Sequence, residues 1–482
     1  MTLGNMTETE PATRQNIEQL LSNDTKVKVA AVDIDGVLCG KVLNKTKFLQ
    51  VIDNGFGFCS ILFGWDILDK PYTTDVAFSN NEAQFSDLIA KVDLSSFRRI
   101  PWEDNIPFFL VYIVDPSTLQ PMYCCPRTLL KQAVDDLNEA GYTPYAGIEF
   151  EFFCYKGKVI LYSLNNFSPA SLVEKQHTNL THLTVGMCGY SMLRPTQNQA
   201  FYYHAFDWLK QFNVEMESWH TETGPGVFEA AVAYRDAKEA GDRATLFKTA
   251  MKQIGLQHGM ITSFMAKPNQ DLPGCSGHMH FSLKKNVDGK NAFAVWNDDE
   301  QQNSPLPHMS ITMTQFLAGV LRGLPSILAI LAPTVNSYKR LVENFWAPVS
   351  VSFGIDNRLG AIRVIVPPTT SKDATRMEMR VSGADINPHL AMAAILKCGY
   401  WGIKTNQALP VDAMDASAPS KGQRLARTLQ EAVAVMDEKS SIARLVLGDA
   451  FVDHYVKTRL HEWNQWQNAV TDYERKRYLE LV

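Results

Sequence analysis

In the string GIEFEFF, residues 147–153, charge alternates with bulk: Glu149 and Glu151 fall on one side of an extended chain, Ile148, Phe150 and Phe152 on the other. The same two-residue period recurs in HMHFS, which places His278, His280 and Ser282 on one face, and in RMEMR, which does so for Arg376, Glu378 and Arg380. Glu222 and Glu229 belong to a further string, HTETGPGVFE at 220–229. Charges on inward-facing positions of apolar strands survive only when paired or holding metal, because an unpaired buried carboxylate costs several kcal/mol. For any one strand, the solvated face of a half-exposed antiparallel sheet explains the pattern equally well. Taken jointly, five carboxylates, an imidazole and surplus arginine describe a polar funnel for hard divalent cations and a phosphate-bearing anion. Carboxylate-rich ligation favours magnesium or manganese over zinc.

These strings, in this order and with NSYKRLVENFWAP at 336–348, NRLGAIR at 357–363 and RMEMRVSGADINPH at 376–389, resemble the glutamine synthetase superfamily in its type I-like branch. The resemblance implies an α+β fold, with an N-terminal β-grasp domain and a C-terminal catalytic domain whose antiparallel sheet curves into a partial barrel among helices. The boundaries implied are a flexible N-terminus over 1–22, the β-grasp over 23–125 and the catalytic domain over 126–482. Glu151, Glu222 and Glu229 match ligands of the metal nearer glutamate; Glu149, His278 and Glu378 match those of the metal holding the ATP phosphates, about two or three ions in all. Arg340 and Arg380 match the arginines on the glutamate carboxylates, and Gly274 lies in the loop that meets glutamate. Arg358 and Arg363 match phosphate contacts, Arg340 and Arg358 doubling as catalytic groups, while Glu217, His280, Ser282 and Arg376 match nucleotide contacts.

The implied chemistry is attack of the glutamate γ-carboxylate on the ATP γ-phosphate, after which an amine opens the acyl phosphate. Cations with converging arginines supply the positioning and neutralisation that phosphoryl transfer needs. No GxxxxGK[ST] string offers a P-loop in their place.

Departures from the family bear on the acceptor. Trp346 stands where the family carries a glutamate that closes the site and takes a proton from ammonium, and Phe63, in ILFGWDI, stands where it carries an aspartate. A desolvated ammonium ion needs counter-charge, and cation–π contact returns only about 0.5–2 kcal/mol. An aromatic wall suits an amine with an apolar body, so the expected product is a γ-glutamyl amide of an organic amine. Glu343 is a candidate substitute base, with a solvent-facing loop glutamate as the equal alternative. Pro273-Gly274 replaces the family's Asn-Gly. Glutamine synthesis from ammonium is the first alternative function and a catalytically silent assembly the second.

The formal net charge of −5 gives no basic footprint, so neither nucleic acid nor an anionic membrane is expected as a partner. Eight scattered cysteines with no CxxC pair fit reduced thiols in the cytoplasm, Cys275 being the one that could face substrate. The run FLAGVLRGLPSILAILAP at 316–333 is broken by Arg322 and Pro325 and predicts a buried helix pair. Val27–Leu43 reads as a hairpin turning at Asp35-Gly36. Leu129, Leu130, Ala133, Val134 and Leu137 form one helical stripe, and Leu246, Phe247, Ala250, Met251 and Ile254 another. The loop 405–422 lacks tyrosine, so the adenylylation of some type I enzymes is not expected there. A homo-oligomer of stacked rings follows from the resemblance, with Trp463 and Trp466 either anchoring rings or packing within the subunit.

Overall fold

The computed structural model describes residues 11–72, 76, 78–80, 82–156, 180–302, 304, 306–343, 346–367, 371–414 and 422–482. Strand Ile106–Val114 explains how its two halves join, because all of it except Tyr112 is buried. Phe109, Val111 and Ile113 enter a small core with Val27, Val29, Ala31 and Phe48, while Phe108 and Leu110 point the other way into the large core of the catalytic half. Ala30 on strand Lys26–Val32 also reaches the large core. A strand walled on both faces reads as one apolar run, which is why FFLVYIV shows no alternation.

Six strands make this first sheet, in the order Leu38–Asn44, Lys26–Val32, Ile106–Val114, Asp87–Val92, Phe56–Cys59, with Arg98–Ile100 also paired to Ile106–Val114. Lys26–Val32 runs parallel to Ile106–Val114, and the other pairs are antiparallel. The expected hairpin is present: Gly36 takes φ +81°, and the Asp33 carboxylate accepts the N–H groups of Asp35 and Val37. The flexible lead-in expected over 1–22 needs correction. Residues 1–10 lie outside the described residues, but Ala12, Ile17 and Leu21 are buried in the small core, so the packed chain starts well before residue 23.

The second sheet has nine strands, seven of them in the order Phe353–Ile355, Ile362–Ile365, Arg376–Met379, Gly277–Lys285, Tyr142–Lys156, Val227–Asp236, Met216–Thr221. It is antiparallel except for the parallel edge pair Phe353–Ile355 and Ile362–Ile365. One face, carrying Ile148, Phe150, Phe228, Met279 and Met377, packs on the helices Ala237–Gln257 and Pro126–Glu139, and Pro388–Lys404 packs on those helices in turn. Both predicted helical stripes are buried there. Asn387 caps the helix Pro388–Lys404 by accepting the N–H groups of His389 and Leu390.

The expected helix pair at 316–333 is instead one helix, Ile311–Leu331, with Pro325 inside it. Tertiary packing overrides the local break: 83% of its most apolar window is buried, although by length and hydropathy alone it could cross a membrane. Arg322 escapes burial by donating to the Ala408 carbonyl at 3.0 and 3.2 Å. All eight cysteines are free, and five of them, Cys275 included, are buried.

Candidate active site

Strand register brings the acidic tips together. Glu151 pairs directly with Glu229, Glu149 with His278, and His280 with Glu378. Glu378 is in turn opposite Arg363, and Glu229 opposite His220. Residues opposite one another share a face, so four adjacent strands and their edge neighbours project every one of these groups away from the apolar side.

Two clusters result. Ligating atoms of Glu149, His278 and Glu378 all lie within 4.8 Å of one another, as do those of His220, Glu222 and Glu229. The first group is the expected phosphate-side set. In the second, His220 takes the place expected of Glu151, whose carboxylate instead accepts the Ser276 N–H at 2.6 Å while remaining next to Glu229 in register. His220 shares the period-two face of Glu222, so the signal for it was present in HTETGPGVFE.

The electrostatics of both clusters are those of groups that could hold a cation. Burial, followed by repulsion from Glu151, Glu149 and Glu222, pushes the Glu229 carboxyl up to about 8. Burial and the charges of Arg380 and Arg340 hold His278 well below its ordinary value, leaving the neutral imidazole that a metal requires. This donor set of carboxylate oxygens with one or two imidazoles fits a divalent ion.

A pH dependence follows from Glu229. Its folded value lies above the ordinary 4.5, so stability of the metal-free fold is fullest below that value and declines as pH rises through about 8. A divalent cation must displace this proton. Calorimetric titration is expected to show magnesium affinity rising between pH 6 and 8, by up to about tenfold per unit for one proton released, then levelling. An affinity independent of pH over that range would show that Glu229 is already ionised.

Arginines enclose the clusters. Glu378 is paired with Arg380 Nη1, with Arg363 Nη1 at 3.2 Å and with His278 Nδ1 at 3.5 Å. Arg340 is buried, its guanidinium donating to the Val381 and Arg380 carbonyls at 2.8 and 3.1 Å. Gly274 must remain glycine beside it, since a Cβ would lie 2.6 Å from the Ala266 carbonyl oxygen and 2.8 Å from Arg340 Cγ. Arg358 is exposed, its backbone carbonyl accepting from Arg380 Nε at 3.0 Å.

Adjoining the first cluster is a cavity of about 650 Å³, lined by Glu149, Glu217, His280, Ser282 and Arg376 among others. All four residues expected to contact nucleotide therefore share one cavity. Arg376 Nε lies 3.3 Å from His280 Nδ1, and His280 Nε2 lies 3.2 Å from Glu149 Oε1.

Two expected residues, Phe63 and Glu343, are placed away from the clusters. Phe63 is fully buried in the small core, edge-on to Phe78, and presents no surface to a ligand. Glu343 is exposed and ion-paired with Arg424 at 2.7 Å, the arrangement of the loop-glutamate alternative. Trp346, with φ +58°, is 67% exposed on the loop that leaves Arg340. One aromatic was missed: Tyr190 stacks on His220 with centroids 4.4 Å apart, and its N–H donates to the Thr221 carbonyl at 2.7 Å. Burial and the Glu222 and Glu229 charges raise its hydroxyl, placing it within electrostatic reach of the second cluster.

A curved sheet presents two carboxylate-rich clusters that could each hold a cation beside a cavity of about 650 Å³, an arrangement suited to metal-assisted chemistry on an anionic ligand. The model of the glutamine synthetase catalytic domain matches residues 123–478. The chain is 42% identical to type-1 glutamine synthetase 2 of Dictyostelium discoideum, over 98% of this chain and 88% of that protein. It is also 32% identical to glutamate–isopropylamine ligase of Pseudomonas sp, over 95% and 96% of the two chains. To γ-glutamylethanolamide synthetase of Streptomyces coelicolor it is 30% identical, over 95% and 93%. A solved structure described as a GmaS/ADP complex has the same fold, with a TM-score of 0.78 at 23% identity over 96% of this chain and 99% of that one. The chain belongs to the glutamine synthetase family and is an ATP-dependent ligase forming a C–N bond.

Proposed function

We propose that this ligase activates glutamate as γ-glutamyl phosphate and transfers it to an organic amine, using ATP and about two or three magnesium or manganese ions held by the two clusters. Glu149, His278 and Glu378 would hold the ion on the phosphates. Glu222 and Glu229, with Glu151 and His220 beside them, would hold the ion on glutamate, and Arg340 and Arg380 would hold its carboxylates. The cations supply charge neutralisation at the transferring phosphoryl group.

One observation carries the choice of acceptor. The stretch 341–346 offers a single carboxylate, Glu343, and that group is turned to Arg424 in solvent, while the Trp346 ring stands open. Tyr190 over His220 adds a second open aromatic near the cluster. Apolar amines gain from such surfaces, whereas ammonium needs a carboxylate to bind it and accept its proton. Relatives named for isopropylamine and ethanolamide products support the same reading.

Glutamine synthesis is the second reading, favoured by the name of the Dictyostelium relative. Against a silent assembly stands the Glu229 cluster, whose mutual repulsion must be relieved by a proton or a cation and which a scaffold has no need to keep. ADP release measured with glutamate and a panel of amines tests the proposal. An organic amine is expected to exceed ammonium in kcat/KM by tenfold or more, on the order expected when a site lacks the charge partner for the competitor. Trp346→Glu is expected to raise ammonium use. Ammonium matching the best organic amine in the parent enzyme would overturn the assignment.

A further inference from the structure

His204 and His258 belong to neither carboxylate cluster. His204 lies on the helix Gln199–Gln211, and His258 caps the helix Ala237–Gln257. His204 Nδ1 and His258 Nε2 face each other at 3.3 Å. Both rings are fixed by packing. His204 stacks on Trp208, one turn along its own helix, at 5.0 Å and 25°. His258 meets Phe201 at 5.8 Å and Trp208 at 6.2 Å, and its backbone N–H donates to the Ile254 and Gly255 carbonyls where Gly259, at φ +67°, ends the helix.

The separation suits metal chelation. Two imidazole nitrogens, each about 2.0–2.1 Å from one tetrahedral ion, stand about 3.3 Å apart. Burial, then the neighbouring His204, holds His258 below its ordinary value, which favours the neutral ring that a metal requires. Paired imidazoles select zinc, nickel or copper, whereas the oxygen-rich clusters select harder ions.

We propose that His204 and His258 form a two-histidine site for a borderline transition metal, completed by water and chemically separate from the carboxylate clusters. His204 coordinates through Nδ1 and His258 through Nε2, and in the complex each ring carries its proton on the other nitrogen. The bound ion pins the helix Gln199–Gln211 to the end of Ala237–Gln257. The former helix directly follows the segment that carries Tyr190. The assignment does not depend on the acceptor proposed above.

The test is calorimetric titration of the full chain with Ni²⁺, in which any binding at the carboxylate clusters persists in both histidine variants. About one additional equivalent per chain is expected, with His204→Asn and His258→Asn each weakening it by at least about tenfold, the cost of losing one of two ligands. Both variants should melt like the parent protein without metal. Unchanged Ni²⁺ affinity in both variants would overturn the site. A second measurement works on the unaltered protein: the electron paramagnetic resonance spectrum of one equivalent of Cu²⁺ should show two equatorial nitrogen donors, and a spectrum with none or one would refute the chelate.

Discussion

Replacing Glu378 by alanine is expected to lower kcat/KM by about 10²–10³-fold, the range seen when a preorganised charge partner is removed from a reacting centre. Glu378 is only 1% exposed, and three groups converge on it: Arg380, Arg363 and His278. Its removal deletes an anionic ligand and leaves two arginine charges facing the place where a cation must sit. The second effect makes Glu378→Gln nearly as damaging, because the amide keeps the shape but neutralises neither arginine. Magnesium affinity, measured directly, should fall with activity in both variants while the thermal transition of the metal-free protein is followed as a control. If magnesium affinity and turnover both remained within about threefold of the parent, the cluster would not be the cation site.

The second large effect concerns the fold. Arg127 Nε and Nη2 each donate to Asp242 at 2.7 Å, and Nη2 also meets Asp93 at 2.8 Å. His389 Nε2 lies 2.8 Å from the same Asp242, its Nδ1 lies 3.1 Å from Thr245 Oγ1, and the guanidinium sits 4.2 Å over the Tyr112 ring. Five parts of the chain thus meet at one buried charge group. Breaking it from one side, by Arg127→Met or Asp242→Asn, is expected to cost about 3–5 kcal/mol in urea unfolding, because an uncompensated group stays buried. The double variant should lose less than the sum of the two.

The pH dependence has a definite sign. Burial alone would raise Asp242, but the Arg127 charge and hydrogen bonds, with His389, hold it well below the ordinary carboxylate range. A depressed folded value means that the contribution is complete above the unfolded value of about 4 and is lost as pH falls below it. Asp242→Asn should therefore flatten the acid side of the stability curve. Equal destabilisation at pH 7 and at acid pH would show that the charge is not what matters.

Period-two alternation made the site legible, because register converts it directly into geometry: Glu149, Glu151, Glu229, His278 and Glu378 point where their spacing says they should. Alternation fails where the chain is not a strand. Phe63 ends a short 3₁₀ turn, Ser60–Phe63, and the string ILFGWDI holds no period that says which ring faces inward. Glu343 lies on a loop, where only the distant Arg424 decides its direction. Tyr190 was invisible for the same reason, being held over His220 by loop hydrogen bonds to Thr221 and by a left-handed φ of +56°. Pro325 misled because the break it signals is local, while the burial that keeps Ile311–Leu331 continuous is not.

Phe108 and Leu110 turn outward from one hydrophobic interior only to enter another. The opening quarter of the chain is therefore a party wall, not an annexe: removing it would strip apolar side chains on the ligase half of their cover. Both halves should melt as one cooperative body, and inheritance or engineering must carry them together.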